Sequence, residues 1–298
     1  MKEKYRKFWW FTVLPFLIPF ISDLKDEWIC PKLKWIIIIG TIAIDFYFSF
    51  ITLKKEEDAQ KELFVQKAVR YAYSYAHELM EYKRDTLSHD LEFGKVDLKN
   101  NILPYDIHMR IIDICRQFKN AISSITQINS EYVTCTLIYR YSSYPGASDE
   151  DTLWRWAGGR DPLDKLDLNE FVKEPDTSYY HIINRMTNFV YIPRKDEICR
   201  SATKMYHLGN RDKMYNDKGS AFSIKIAFGN NTSPLVEGIL TVSTYGKYFT
   251  EEMDLHDADN VFRRMLLDEI FPYYKKLLET EFGMLYLRHT YKEKTDKE

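Results

Sequence analysis

The run from Trp35 to Leu53, WIIIIGTIAIDFYFSFITL, is 19 residues long and holds one charge, Asp45. A helix needs about 20 apolar residues to cross roughly 30 Å of hydrocarbon. A run of this kind must be buried in lipid or in a large core, so it constrains the chain more than any other feature. A shorter apolar stretch, from Phe8 to Ile21, precedes it and carries Pro15 and Pro19. The link from Ser22 to Lys34 is too short for a domain. Residues 1–53 therefore predict a transmembrane hairpin with spans at about 8–21 and 35–53.

The basic start (Lys2, Lys4, Arg6 and Lys7) followed by apolar residues is also how a secretory signal peptide begins. No small-x-small cleavage site follows, and a second span arrives at once, so an uncleaved anchor is expected. Lys54 and Lys55 lie directly after the second span, while Lys25, Lys32 and Lys34 stand among acids in the link. The positive-inside rule then places both termini in the cytoplasm. The expected location is the inner, cytoplasmic membrane, multi-pass, with the soluble domain on the cytoplasmic side.

Cysteine usage agrees with a reducing compartment. Cys30, Cys115, Cys135 and Cys199 form no CxxC pair, and Cys115 and Cys135 fall in apolar-patterned segments that predict buried thiols. The seven histidines are scattered, with no HExxH and no Cys/His cluster, so no metal or cofactor site is expected. A net charge of −2 gives no electrostatic case for duplex nucleic acid. The residues beyond Leu53 are enough for one good-sized domain and a connecting helix.

The segment from Lys54 to Glu81 has no Gly or Pro and predicts a long helix leaving the bilayer. Phe64, Ala68, Tyr71, Tyr75, Leu79 and Tyr82 form one apolar stripe, and Val65, Val69, Ala72 and Ala76 form a second beside it. Both must be buried, either on the body or against copies of the chain. Arg84 to Pro104 breaks the period and reads as a loop. Ile107, Ile111, Ile114, Phe118, Ile122 and Ile125 mark the next helix. Glu131 to Tyr141 alternates and is rich in β-branched and aromatic residues, so it reads as a strand. After a turn at Tyr144, Pro145 and Gly146, a second strand is expected at Thr152 to Ala157. A short helix follows at Thr177 to Met186, and a strand at Asn188 to Pro193. Arg194 to Gly219 is polar and without period. Ser220 to Phe228 and Leu235 to Thr244 read as a hairpin about Gly229, Asn230 and Asn231. Thr250 reads as the N-cap of a final helix that carries Val261, Met265 and Leu266 inward and runs past Pro272 towards Leu287.

This order of elements, with Ser233, Pro234 and Leu235, then Gly238, Ile239, Leu240 and Val242, then Phe249 and Thr250, resembles the closing pattern of the GAF domain. That family is a small-molecule-sensing fold related to PAS. The resemblance covers roughly Tyr105 to Phe282 and gives a fold class of α+β, with a GAF-like sensor domain at 105–287, a connector at 54–104 and a polar tail at 288–298. It implies a six-stranded antiparallel sheet, helices from both ends of the domain on one face, a ligand pocket on the other, and dimers held by the terminal helices. The kinase, cyclase or phosphodiesterase module that usually follows such a sensor does not appear in the sequence.

Two places are candidates for function. Asp45 is costly in hydrocarbon unless it faces a bundle interior or water; with Pro15 and Pro19 it is the candidate for packing or gating in a homo-oligomer, the alternative being a protonated side chain with no task. Arg194 to Lys218 holds Arg194, Arg200, Lys204 and Arg211, interleaved with Tyr206 and Tyr215 and preceded by Tyr191. Cations for phosphate and tyrosines for stacking suit a small anionic or nucleotide ligand, against the plainer reading of a solvated loop. No G-x-S-x-G, P-loop, HRD or HExxH motif appears and Cys199 has no cysteine nearby to resolve it, so catalysis is not expected. The sequence reads as a membrane-anchored small-molecule sensor acting through its hairpin in the lipid bilayer. Small bacterial proteins that join a sensor to two spans are a layout of antiviral defence effectors. The alternative is a tethered module that recruits a cytoplasmic partner.

Overall fold

The computed structural model describes residues 31–92, 106–142, 149–158, 167–184, 187–198, 205–230, 233–251, 253 and 257–295. The first expected span, with Pro15 and Pro19, lies outside them. The chain divides into two compact units, Met1–Phe64 and Val65–Glu298.

Helix α1 runs from Pro31 to Glu92. It takes in the helix expected from Lys54 to Glu81 and continues past Arg84, where a loop was expected. Nothing from Thr41 to Glu92 is Gly or Pro, and the next breaker in the sequence is Gly94. In the first unit, Trp35, Ile36, Ile39, Phe46 and Phe50 are exposed. By length and composition, one stretch of this helix can cross a membrane, and its apolar window is not buried in the protein. Among the described residues there is one such apolar helix, and the hairpin's other span lies outside them. Thr41 and Thr52 donate their hydroxyls to the carbonyls of Ile37 and Phe48 (2.8 and 2.9 Å), which leaves neither hydroxyl donor unmet in an apolar setting.

The second unit is built on a five-stranded antiparallel sheet, where the family resemblance implied six strands. In chain order the strands are β1 (Val133–Tyr141), β2 (Arg155–Gly158), β3 (Phe189–Ile192), β4 (Ala221–Asn230) and β5 (Ser233–Thr244); across the sheet the order is β2-β1-β5-β4-β3. β4 and β5 form the hairpin that the turn residues predict, with Phe228 opposite Val236. A 3-10 turn at Asp149–Thr152 precedes β2, which takes only the end of the strand expected there.

One face carries the long helices. α2 (Ile107–Thr126) starts at Asp106, whose carboxylate accepts from the His108 and Met109 amides, and it buries the isoleucine stripe with Phe118. Phe118 meets Phe222 of β4 edge-on at 5.9 Å and Tyr274 at 4.6 Å. Cys115 and Cys135 are buried thiols in this layer, and burial pushes the Cys135 thiol well above its ordinary pKa. From Val65 onward, α1 buries Ala68, Ala72, Ala76 and Leu79. Small side chains let the helix approach closely: the buried Tyr274 hydroxyl donates to the Ala72 carbonyl at 3.4 Å, and Tyr75 shares a hydrogen bond with Ser124 at 3.1 Å. The alanines are thus buried within the chain itself, while Tyr73, Met80 and Tyr82 stay exposed.

Thr250 does not cap the last helix. It sits in a turn and donates to Asp259 at 2.7 Å, while α7 (Ala258–Arg264) begins after Asp257 in a left-handed conformation. A π-helical turn, Met265–Ile270, leads into α8 (Phe271–Thr295), which passes Leu287 without a break. Phe282 of α8 lies where a Cβ on Gly238 of β5 would stand, 2.6 Å away, so only glycine fits there.

The opposite face is covered by short elements: α3 (Leu168–Phe171), α4 (Ser178–Asn184), α5 (Lys195–Ile198) and α6 (Asn210–Met214). Thr177 caps α4 by accepting the Tyr180 amide at 3.1 Å. Leu168, Val172, Tyr179 and Ile182 pack there on Ile138, Val190, Ile192 and Ile239. The stretch that reads as aperiodic contains α5 and α6, each too short to show a helical period.

Candidate functional site

A strand covered on both faces ordinarily reads as continuous apolar sequence. β1 and β5 depart from that rule on one face only. Thr134 lies opposite Ser243 and Thr136 opposite Thr241, while the alternate residues Cys135 and Val242 point towards the long helices. The four hydroxyl side chains form the floor of a cavity of about 90 Å³ under the short elements. Ser178 of α4 continues the polar surface through Ser223 of β4 to Thr241, with oxygen separations of 2.9 Å at each step. Trp156, Phe171, Tyr179, Tyr206 and Tyr245 supply aromatic walls.

One wall comes from a single segment, Tyr206 to Asp212. It is held by Lys195, whose side chain is fully buried. The Lys195 ammonium donates to Asp212 Oδ1 at 2.7 Å and to the Thr244 carbonyl at 2.9 Å. It also lies 4.7 Å from the Tyr206 ring centre and 4.3 Å from that of Tyr245, an arrangement in which both ring faces attract the cation. Asp212 Oδ2 accepts from the Tyr206 hydroxyl (3.2 Å) and the Gly209 amide (3.0 Å). Burial first, and then the Asp212 carboxylate, push the Tyr206 hydroxyl well above its ordinary pKa, so it stays a donor. Gly219 is required behind Lys195: a Cβ there would stand 2.1 Å from the Thr244 carbonyl oxygen.

Of the residues singled out from sequence, Tyr206 and Arg211 line this cavity. The Arg211 guanidinium lies 4.5 Å over the Tyr245 ring and donates to the Glu131 carbonyl. Tyr191 is on β3 but faces the long helices, because strand alternation sends Val190 and Ile192 to the cavity side; its ring lies 6.4 Å from both Phe249 and Phe262. Burial, with the Asp259 carboxylate adding to it, raises the Tyr191 pKa. Arg194 stacks on Tyr248 at 4.5 Å and is 3.7 Å from Glu197, away from the cavity. Tyr215 packs edge-on against Tyr132 at 5.7 Å and does not line it. Arg200 and Lys204 lie outside the described residues, as does the side chain of Asp45.

The sequence reading passed over the floor itself and the Lys195–Asp212 pair. The floor had a signal, since Thr134, Thr136, Thr241 and Ser243 recur at every second position between apolar residues. The ion pair had none, because 17 positions separate its members. Among the described residues no group of His, Cys, Asp and Glu could hold a metal ion. No family model matches the sequence, and no curated protein matches it.

Proposed function

We propose that the chain is a membrane-anchored sensor whose GAF-like body binds a small molecule in the cavity between β1, β5 and the short elements. The observation that carries this reading is the polar floor: hydroxyls on central strands of a covered sheet are wasteful in a packed core, and useful under a ligand. Antiparallel strands with long helices from both ends on one face and a cavity on the other support the likeness to a sensor fold. α1 supports the membrane role, because the helix that is apolar at Trp35–Leu53 also gives Ala68, Ala72 and Ala76 to the body's core. In this reading ligand binding shifts the population of two states of a homo-oligomer at the cytoplasmic face of the inner membrane, by no more than its differential affinity for them. The output is a change at the membrane.

The test is extraction of the purified full-length protein followed by mass spectrometry. A small molecule recovered from wild type and missing from Thr241→Phe, which fills the cavity, supports the sensor reading. Identical extracts from both overturn it. Carbonate washing of membranes checks the anchor: the chain stays in the pellet, and a variant with Ile36, Ile39 and Phe46 changed to Ser is released. A second reading, a tethered module that recruits a protein, draws on the exposed side chains of Tyr73, Met80 and Tyr82.

A further inference from the structure

We infer that the cavity takes an uncharged, ring-sized molecule with a hydrogen-bonding edge, a nucleobase-like heterocycle or a sugar, rather than an anion. This rests on the sensor reading above and narrows it.

The first observation is charge. Of the ionic groups at the Tyr206–Asp212 wall, Asp212 is committed to Lys195, with its remaining oxygen taken by Tyr206 and Gly209, and His207 lies 3.6 Å from the Glu174 carboxylate. Arg211 is drawn to the Tyr245 ring and the Glu131 carbonyl. A phosphate or carboxylate pushed to the floor would meet hydroxyls and aromatic faces, with Arg211 and His207 on the lining already engaged elsewhere, and an uncompensated buried charge is costly. Breaking the Lys195–Asp212 pair to answer it would strand Asp212 instead.

The second observation is unused hydrogen-bonding capacity. The Thr136 hydroxyl makes no hydrogen bond to a described residue. Thr134 reaches Tyr245 only at 3.3 Å, and Ser243 reaches Tyr206 only at 3.4 Å. Both separations are long for O–H···O bonds. Directly opposed residues on neighbouring strands stand about 5 Å apart, and alternate residues along a strand about 7 Å. The floor is thus a rectangle of hydroxyls on the scale of a single ring's polar edge, Thr241 already sharing one hydrogen bond with Ser223 and the other three able to donate or accept. The third observation is size. A cavity of roughly 150 Å³ holds one benzene, so about 90 Å³ is on the scale of a single ring. Aromatic walls stack equally well on a heterocycle or on the C–H face of a sugar.

The experiment is saturation-transfer NMR on the full-length protein in detergent, with paired probes: uracil and orotate, adenine and adenosine monophosphate, ribose and ribose 5-phosphate. At least one uncharged probe should bind, its anionic partner should bind no tighter, and Thr136→Val, which keeps the side-chain shape, should weaken binding about tenfold. Thr241→Phe should abolish it. The bases against ribose decide between heterocycle and sugar. An anionic probe that binds tenfold tighter than its partner and depends on Thr241 overturns the inference and leaves the sensor reading in place. If no probe shows a signal that depends on Thr136 or Thr241, both fall.

Discussion

Lys195 and Asp212 meet at 2.7 Å with side chains 0% and 3% exposed, and through them the cavity's Tyr206–Asp212 wall is fastened to the end of β5 at Thr244. Desolvating two charges offsets most of what their attraction returns. The pair is better understood as fixing position. It makes one arrangement of the wall much better than any other, because each partner alone would be a buried charge.

Lys195→Met should therefore destabilise the protein by about 3–5 kcal/mol, the usual result of stranding one member of a buried pair. The double variant Lys195→Met with Asp212→Leu should recover most of that loss, because no charge remains to be compensated. Urea unfolding of the full-length protein followed by tyrosine fluorescence measures both. A double variant as unstable as the single one would show that the pair's hydrogen bonds to Thr244 and Tyr206 matter more than its charges.

A second ionic group predicts acid sensitivity. Burial alone would raise the Glu237 carboxyl, but Lys225 at 2.7 Å and the Arg140 guanidinium outweigh it and hold the pKa below the ordinary value. A depressed carboxylate contributes stability above its unfolded pKa of about 4.3, and that contribution is lost as pH falls through the folded value. Glu237→Gln should be less stable than wild type at pH 7, with a difference that narrows below about pH 4. Thermal melts across that range test it.

Ala72 has no exposed surface and lies under Tyr274. Ala72→Leu should cost about 1–3 kcal/mol by overpacking, whereas Tyr73→Leu, on the exposed side of the same helix, should stay within about 0.5 kcal/mol. Equal effects would mean that the alanine stripe is not the face by which α1 holds the body.

Tyr191 separates the sequence reading from the structure. Its buried hydroxyl makes no hydrogen bond of acceptable geometry, so Tyr191→Phe should leave stability unchanged or raise it by about 1 kcal/mol. It should also leave binding of any cavity ligand unaltered. A tenfold loss of binding would return Tyr191 to the site.

The fold was legible where the period was long or the alternation unbroken. The isoleucines of α2 and the alternation of β1 each declare an element and its buried face. The last turns of α1 were not legible, because the apolar stripe ends near Tyr82 and the residues after it are polar, although nothing before Gly94 interrupts the backbone. The site was legible only by residue type. Arg211 and Tyr206 were found because cations and tyrosines cluster in that stretch, and Arg194 was included for the same reason although it stacks on Tyr248. Which face a residue such as Tyr191 takes is set by strand register, and register depends on partners far away in the chain.

The cavity joins two parts of unequal firmness. Its floor is two adjacent inner strands, paired along nine residues from Val133 opposite Thr244 to Tyr141 opposite Val236, and one of its walls is a short segment held by side-chain contacts, chief among them the Lys195–Asp212 pair. The wall is the part that can yield to a bound molecule, since the strands cannot part without breaking the sheet. Speed and strength of binding would then be set by different residues. Changes at Lys195 would act mainly through how readily the wall yields, while changes at Thr136 would act through how tightly the molecule is held. In the sensor reading proposed above, response time and sensitivity would then answer to different positions, one of which need not touch the ligand.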